Sequence, residues 1–156
     1  MKILLVDNFD SFTFNLVHYL ESLNCEVKVF RNNELPFDIL HEFDFIVLSP
    51  GPGLPNEANG MMSLLKKVST NIPILGVCLG MQLMTRSSEE GVQSGLGWIS
   101  GQTIRFPKNP DLKVPHMGWN VAAVNTPSPL TSQIIKGSRY YFVHSYCVKV
   151  DDPIHS

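Results

Sequence analysis

"PILGVCLGMQLM" (residues 73–84) is the stretch on which the fold turns. The apolar run from Pro73 to Val77 reads as a buried strand, and "LGMQLM" after it reads as a helix. Cys78 stands at the change of element, with Gly76 and Gly80 two residues to either side. A sharp strand-to-helix turn needs small neighbours, because it lifts the residue at its apex out of the sheet and toward the cleft above the strand C-termini. A thiol placed there lies beside the start of a helix, whose dipole is expected to lower its pKa and favour the reactive thiolate. The first N–H groups of a helix have no helical partner, so the Leu79 N–H is expected to face any oxyanion formed by attack of Cys78. The competing reading is a core cysteine at an ordinary strand-to-helix turn.

Working outward, "LSPGPGLP" (48–55) follows the strand-like "FDFIVLS" (43–49) and so lies at the same C-terminal edge. Gly51 and Gly53 can bring backbone N–H groups close to a small polar ligand. The alternative is a rigid Pro/Gly turn. A phosphate loop is disfavoured, since no Lys-Ser/Thr follows and the glycine spacing is not that of a dinucleotide fold. "KILLV" (2–6) and "EVKVF" (26–30) read as further strands, and "GMMSLLKKVS" (60–69) as a helix. "SFTFNLVHYLESL" (11–23) puts Phe12, Leu16, Tyr19, Leu20 and Leu23 at helical spacing, with Asp10 or Ser11 as its N-cap. Short apolar strands alternating with helices predict an α/β fold with a mostly parallel central sheet, flanked by helices and buried on both faces. From about Gly91 the chain turns rich in Gly, Pro and Ser. "QTIRF" (102–106), "WNVAAV" (119–124) and "RYYFVHSYCVKV" (139–150) predict additional β structure, in the same sheet or beside it. No repeat or linker divides residues 1–156, which read as a single domain.

Hydrophobic residues make up 44% and charged residues 17%, a globular rather than a disordered balance. Lys and Arg number 12 against 14 Asp and Glu, a net charge of −2 with no basic run, so neither nucleic acid nor an anionic membrane surface is expected as a partner. No segment has the length and apolarity of a membrane span, and "MKILLVDNFD" opens with a strand rather than a signal peptide. Cys25, Cys78 and Cys147 form no C-x-x-C pair, which fits a reducing cytoplasm and neither a disulfide frame nor a metal site; no cofactor is implied. Cys25 and Cys147 read as packing residues. Trp98 and Trp119 read as core or interface aromatics, Met61, Met62, Met81 and Met84 as core, and "SSEEG" (87–91) as a solvated acidic turn.

"SPGPGLP" followed by "PILGVCLGMQ" resembles the class I glutamine amidotransferase domain, which has a flavodoxin-like core. The resemblance implies that Cys78 attacks the side-chain amide of glutamine and releases ammonia to a synthase subunit in a heterodimer. It implies oxyanion N–H groups from Leu79 and from a glycine of Gly51–Gly53, and a role for Gln82 in holding glutamine. "VHSY" (143–146) is similar to the family's other glutamine-holding stretch, so the backbone at Ser145 and Tyr146 is expected to read the amino and carboxylate groups. "LLVDNFDSFTFNLVHYL" and "LSPGPGLPNEA" are similar to the amidotransferase component of anthranilate or aminodeoxychorismate synthase. "GMQLM", "SSEEG", "GLGWISG", "KVPHMGWN" and "YYFVHSYCV" are similar to the glutaminase subunit of imidazole glycerol phosphate synthase. The second likeness makes histidine biosynthesis the leading expectation and tryptophan biosynthesis the alternative.

A cysteine amidase also needs a base, and the base needs an orienting carboxylate. In the family these come from a His-x-Glu motif, and the sequence holds none. His18 and His41 read as surface or structural residues, His116 as near the partner, His144 as a binding position and His155 as lacking its acid. The expectation is a chain cut short before its triad, either impaired as a glutaminase or serving as a non-catalytic binding subunit. A third possibility is another cysteine hydrolase sharing the turn at Cys78, which "SPGPG" and "VHSY" disfavour.

Overall fold

The computed structural model describes residues 1–51, 59–68, 72–92, 94–109, 113–128 and 131–155. The expected parallel sheet is present. It has four strands in the order β2-β1-β3-β4, formed by β1 (Lys2–Asp7), β2 (Glu26–Arg31), β3 (Phe45–Leu48) and β4 (Ile74–Gly76). Ile3 pairs with Val27 on one side and Phe45 on the other, and Leu48 pairs with Gly76.

Strand β1 explains why a continuous apolar run forms a strand here: Ile3, Leu4, Leu5 and Val6 are all fully buried. Their alternation sorts them into two cores. Leu4 and Val6 face Ile46, Leu48, Met61, Leu64, Leu65, Leu79 and Leu83. Ile3 and Leu5 face Val17 and Val47, with Leu16, Leu20 and Cys25 closing the edge. Helix α2 (Asn59–Lys67) covers the first face and α1 (Thr13–Ser22) the second.

Helix α1 departs from expectation. Its buried residues are Thr13 and Val17, whereas Phe12, Tyr19 and Leu23 are 64%, 69% and 71% exposed. The helix is therefore turned so that a flank of aromatic residues meets solvent. Its entry also differs: Phe12 takes the cap position without a side-chain cap. Asp10 acts one step earlier, its carboxylate accepting the Phe12 N–H at 2.7 Å. The Thr13 hydroxyl donates to Asp7 at 2.7 Å and ties the helix start to the end of β1.

The second half forms separate β structure rather than extending the main sheet. Strands β5 (Ser87–Ser88), β6 (Gly101–Arg105) and β9 (Tyr146–Val150) make one small sheet, and β7 (His116–Val121) and β8 (Arg139–His144) an antiparallel ribbon. The expected run 139–150 is broken at Ser145, where the chain leaves the ribbon and joins the sheet. Trp98 and Trp119 are 49% and 62% exposed, so neither is a core aromatic.

Leu4→Ala removes a fully buried side chain from a layer flanked by strands on both sides, where collapse is restricted. It is expected to cost about 3 kcal/mol. A urea unfolding midpoint that falls with unchanged slope checks this.

Candidate functional site

The turn after β4 answers why two glycines flank Cys78. A Cβ on Gly76 would stand 2.6 Å from the backbone of Gly80 and Met81, and one on Gly80 would stand 2.6 Å from the Leu48 Cβ. Helix α3 (Leu79–Met84) thus lies backbone-to-backbone against β4 and β3. The Val77 N–H donates to the Leu48 carbonyl at 3.0 Å, and the Gln82 N–H to the Cys78 carbonyl at 3.0 Å. Between these bonds Cys78 is forced to φ 53° and ψ −110°. A residue with a Cβ in that region stores about 1–3 kcal/mol of strain. The core-cysteine alternative does not hold, because Cys78 is exposed at the apex.

The loop leaving β3 closes in on the same turn. Gly51 lies so near Asn8 and Leu79 that a Cβ on it would come within 2.4 Å of the Asn8 Cβ and 3.3 Å of Leu79 Cδ2. Asn8 is buried and donates its amide to the Ser49 carbonyl at 2.9 Å, fixing the end of β1 to the start of the loop. Gly53 lies outside the described residues.

A cleft of about 420 Å³ opens at Cys78, lined by Met81, Gln82, Glu90, Pro115, Val143, His144, Ser145 and Tyr146. Cys78, Gln82, Ser145 and Tyr146, singled out from distant parts of the sequence, therefore share one wall. Met81, expected in the core, is 36% exposed and lines the cleft instead. Glu90 was hidden from sequence reading in what looks like a solvated acidic turn. The signal that could have found it is the buried Gln82 eight residues earlier, which donates to the Glu90 carboxylate at 2.8 Å.

The electrostatics at Cys78 reverse the expected sign. Burial pushes the thiol pKa up; the Leu79 backbone N–H pulls it down, and the charges of Glu90 and Asp10 push it up again. Helix α3 has only six residues, and the acidic neighbours and desolvation outweigh what its N-terminus offers. The folded surroundings of Cys78 thus disfavour the thiolate.

His144 lines the cleft, but both its ring nitrogens are engaged. Nδ1 faces the Tyr146 carbonyl at 2.9 Å, which can only accept, so Nδ1 carries the proton. Nε2 then accepts from His116 Nδ1 at 3.0 Å. Phe106 packs edge-on to the pair, and Phe142 stacks on His116. His18 is exposed on α1, 3.9 Å from Glu21. Among the described residues no cluster of His, Cys, Asp or Glu could hold a metal ion, and no helix is long and apolar enough to cross a membrane.

Residues 4–154 match the family model of the class I glutamine amidotransferases. The chain belongs to this family. Imidazole glycerol phosphate synthase subunit HisH 2 of Methanococcus maripaludis is 45% identical over 95 residues, 60% of this chain and 47% of that protein. Subunit HisH of Archaeoglobus fulgidus is 43% identical over 109 residues, 68% of this chain and 55% of that protein. The chain thus spans about half the length of the curated relatives it matches. Among solved structures, a Thermoplasma acidophilum protein described as a GMP synthase component superposes with a TM-score of 0.66 at 22% identity, covering 95% of this chain and 66% of that one. That likeness carries the amidotransferase fold.

Glu90→Gln removes a negative charge that disfavours the thiolate. The pH midpoint of Cys78 alkylation by iodoacetamide is expected to move down, giving faster alkylation near neutrality. An unchanged or raised midpoint contradicts this account.

Proposed function

We propose that this amidotransferase chain binds glutamine in the cleft at Cys78 and forms the nucleophilic half of a glutaminase, as part of imidazole glycerol phosphate synthase in the cytoplasm. The observation that carries the reading is the convergence of Cys78, Gln82, Ser145 and Tyr146 on one cleft of about 420 Å³. That volume falls within the range of small-molecule sites, about 300–1,000 Å³. In this reading the Cys78 sulfur attacks the side-chain amide carbon, and the Leu79 N–H, with Gly51 or Gly53, receives the oxyanion. The carbon–nitrogen bond breaks and ammonia leaves with the thiol proton. Water then hydrolyses the thioester to glutamate. The Glu90 carboxylate on the cleft wall is suited to the substrate α-ammonium. With both His144 nitrogens engaged, the base and its carboxylate are to be supplied by a His-x-Glu segment outside this sequence. A catalytically silent binding form follows if none is supplied.

A synthase partner suits the ribbon. Met117, Trp119 and Val121 on β7 share one face with Val143 and Tyr141 on β8. Met117, Trp119 and Val143 are 60%, 62% and 63% exposed. An apolar face of that kind on an isolated two-stranded ribbon marks an interaction surface.

Adding a C-terminal His-x-Glu segment is expected to produce ammonia from glutamine, with Cys78→Ser abolishing it. Ammonia release that survives Cys78→Ser overturns the reading. Trp119→Asp is expected to weaken binding to the synthase partner by about tenfold or more, while iodoacetamide still alkylates Cys78 at the unmodified rate. Calorimetry of the complex checks this.

A further inference from the structure

Ser88 lies in β5 with 6% of its surface exposed, and its hydroxyl serves two partners. It accepts the Glu90 N–H at 3.2 Å and faces Gln82 Oε1 at 3.1 Å. The Gln82 amide meets the Glu90 carboxylate at 2.8 Å. An ionised carboxylate only accepts, so the Gln82 NH2 group must point at Glu90 and the Ser88 hydroxyl must donate to Gln82 Oε1. The three residues close a ring in which each bond fixes the direction of the next. The ring is anchored at both ends. Gln82 is tied to Cys78 through its backbone N–H, and Thr85 holds the Gln82 carbonyl at 2.7 Å. The turn carrying Glu90 is pinned to β6 by the Glu89 N–H on the Thr103 carbonyl at 2.9 Å.

We propose that Ser88 is a positioning residue for amino-acid recognition: by orienting the Gln82 amide it holds the Glu90 carboxylate against the cleft, where it selects a substrate bearing an α-ammonium group. The inference rests on the glutamine reading. The Gln82 amide spends one N–H on Glu90 and accepts from Ser88 at its oxygen, so the orientation of the amide and the placement of the Glu90 carboxylate are tied together. Without the Ser88 hydroxyl, Gln82 Oε1 is a buried acceptor with no donor, the amide is free to turn, and the Glu90 carboxylate swings toward water.

The test compares Cys78 alkylation by two diazomethyl ketones, one shaped like glutamine and one lacking its α-amino group, followed by intact mass. The wild-type chain is expected to prefer the amino-bearing reagent. Ser88→Ala is expected to cut that preference about tenfold, with the rate for the other reagent unchanged. Ser88→Thr, which keeps the hydroxyl, is expected to retain the preference. Gln82→Met opens the ring at its other member without exposing the core and is expected to reproduce the loss. A wild-type preference that persists in Ser88→Ala, or in Gln82→Met where Ser88→Ala does not fold, overturns the role of Ser88 and leaves the glutamine reading standing. A wild-type chain indifferent between the reagents overturns the glutamine reading, and the role of Ser88 with it.

Discussion

The contact on which the site depends is between backbones. Gly76 and Gly80 let α3 settle against β4 and Leu48 at a distance that no Cβ could enter. The strained Cys78 conformation follows from that contact, as does the first turn of α3, which carries the Leu79 N–H. Residue Leu79 then receives Gly51 from the neighbouring loop. Loosening the glycine contact would therefore disturb thiol, N–H group and loop together. The buried strand β1 supplies the stiffness behind this, because its two faces are packed on separate cores and it cannot yield toward either.

The parallel sheet and the turn at Cys78 were legible because their signals are local. A run such as Ile3–Val6 is apolar on both faces, which only a doubly covered strand needs. The face of α1 was legible only in part: Leu16 and Leu20 pack on the sheet as their spacing suggests, but Thr13 is buried through its bond to Asp7, while Phe12 and Tyr19 remain outside. Periodicity counts apolar residues and cannot tell which of two apolar stripes the sheet will take. The break at Ser145 was hidden for a related reason, since an unbroken β-prone run does not show where it changes sheets.

Within the site, the residue types were readable and the electrostatics were not. A cysteine at a helix start promises a low pKa, yet the thiol sits partly desolvated with Glu90 and Asp10 for company. Neither carboxylate is close to Cys78 in sequence, so their effect exists only in the folded chain. The same is true of Glu90 as a cleft residue. It is held there by Gln82 and Ser88, and nothing in "SSEEG" distinguishes it from a surface acid.

The two faces of the β7–β8 ribbon divide labour by parity. His116, Phe142 and His144 fall on one side and pack toward the Tyr146 carbonyl and the cleft. Met117, Trp119 and Tyr141 fall on the other and face outward, while Val143, at the end of that same face, also borders the cleft. Because strand residues alternate strictly, substitutions at the outward positions leave the histidine pair in place, and substitutions at the inward ones leave the outer surface as it was. Changes at Met117, Trp119 or Tyr141 can therefore remodel the outer surface without retuning the pocket, whereas Val143 answers to both. A single inserted residue, by contrast, would swap the two sides and forfeit both.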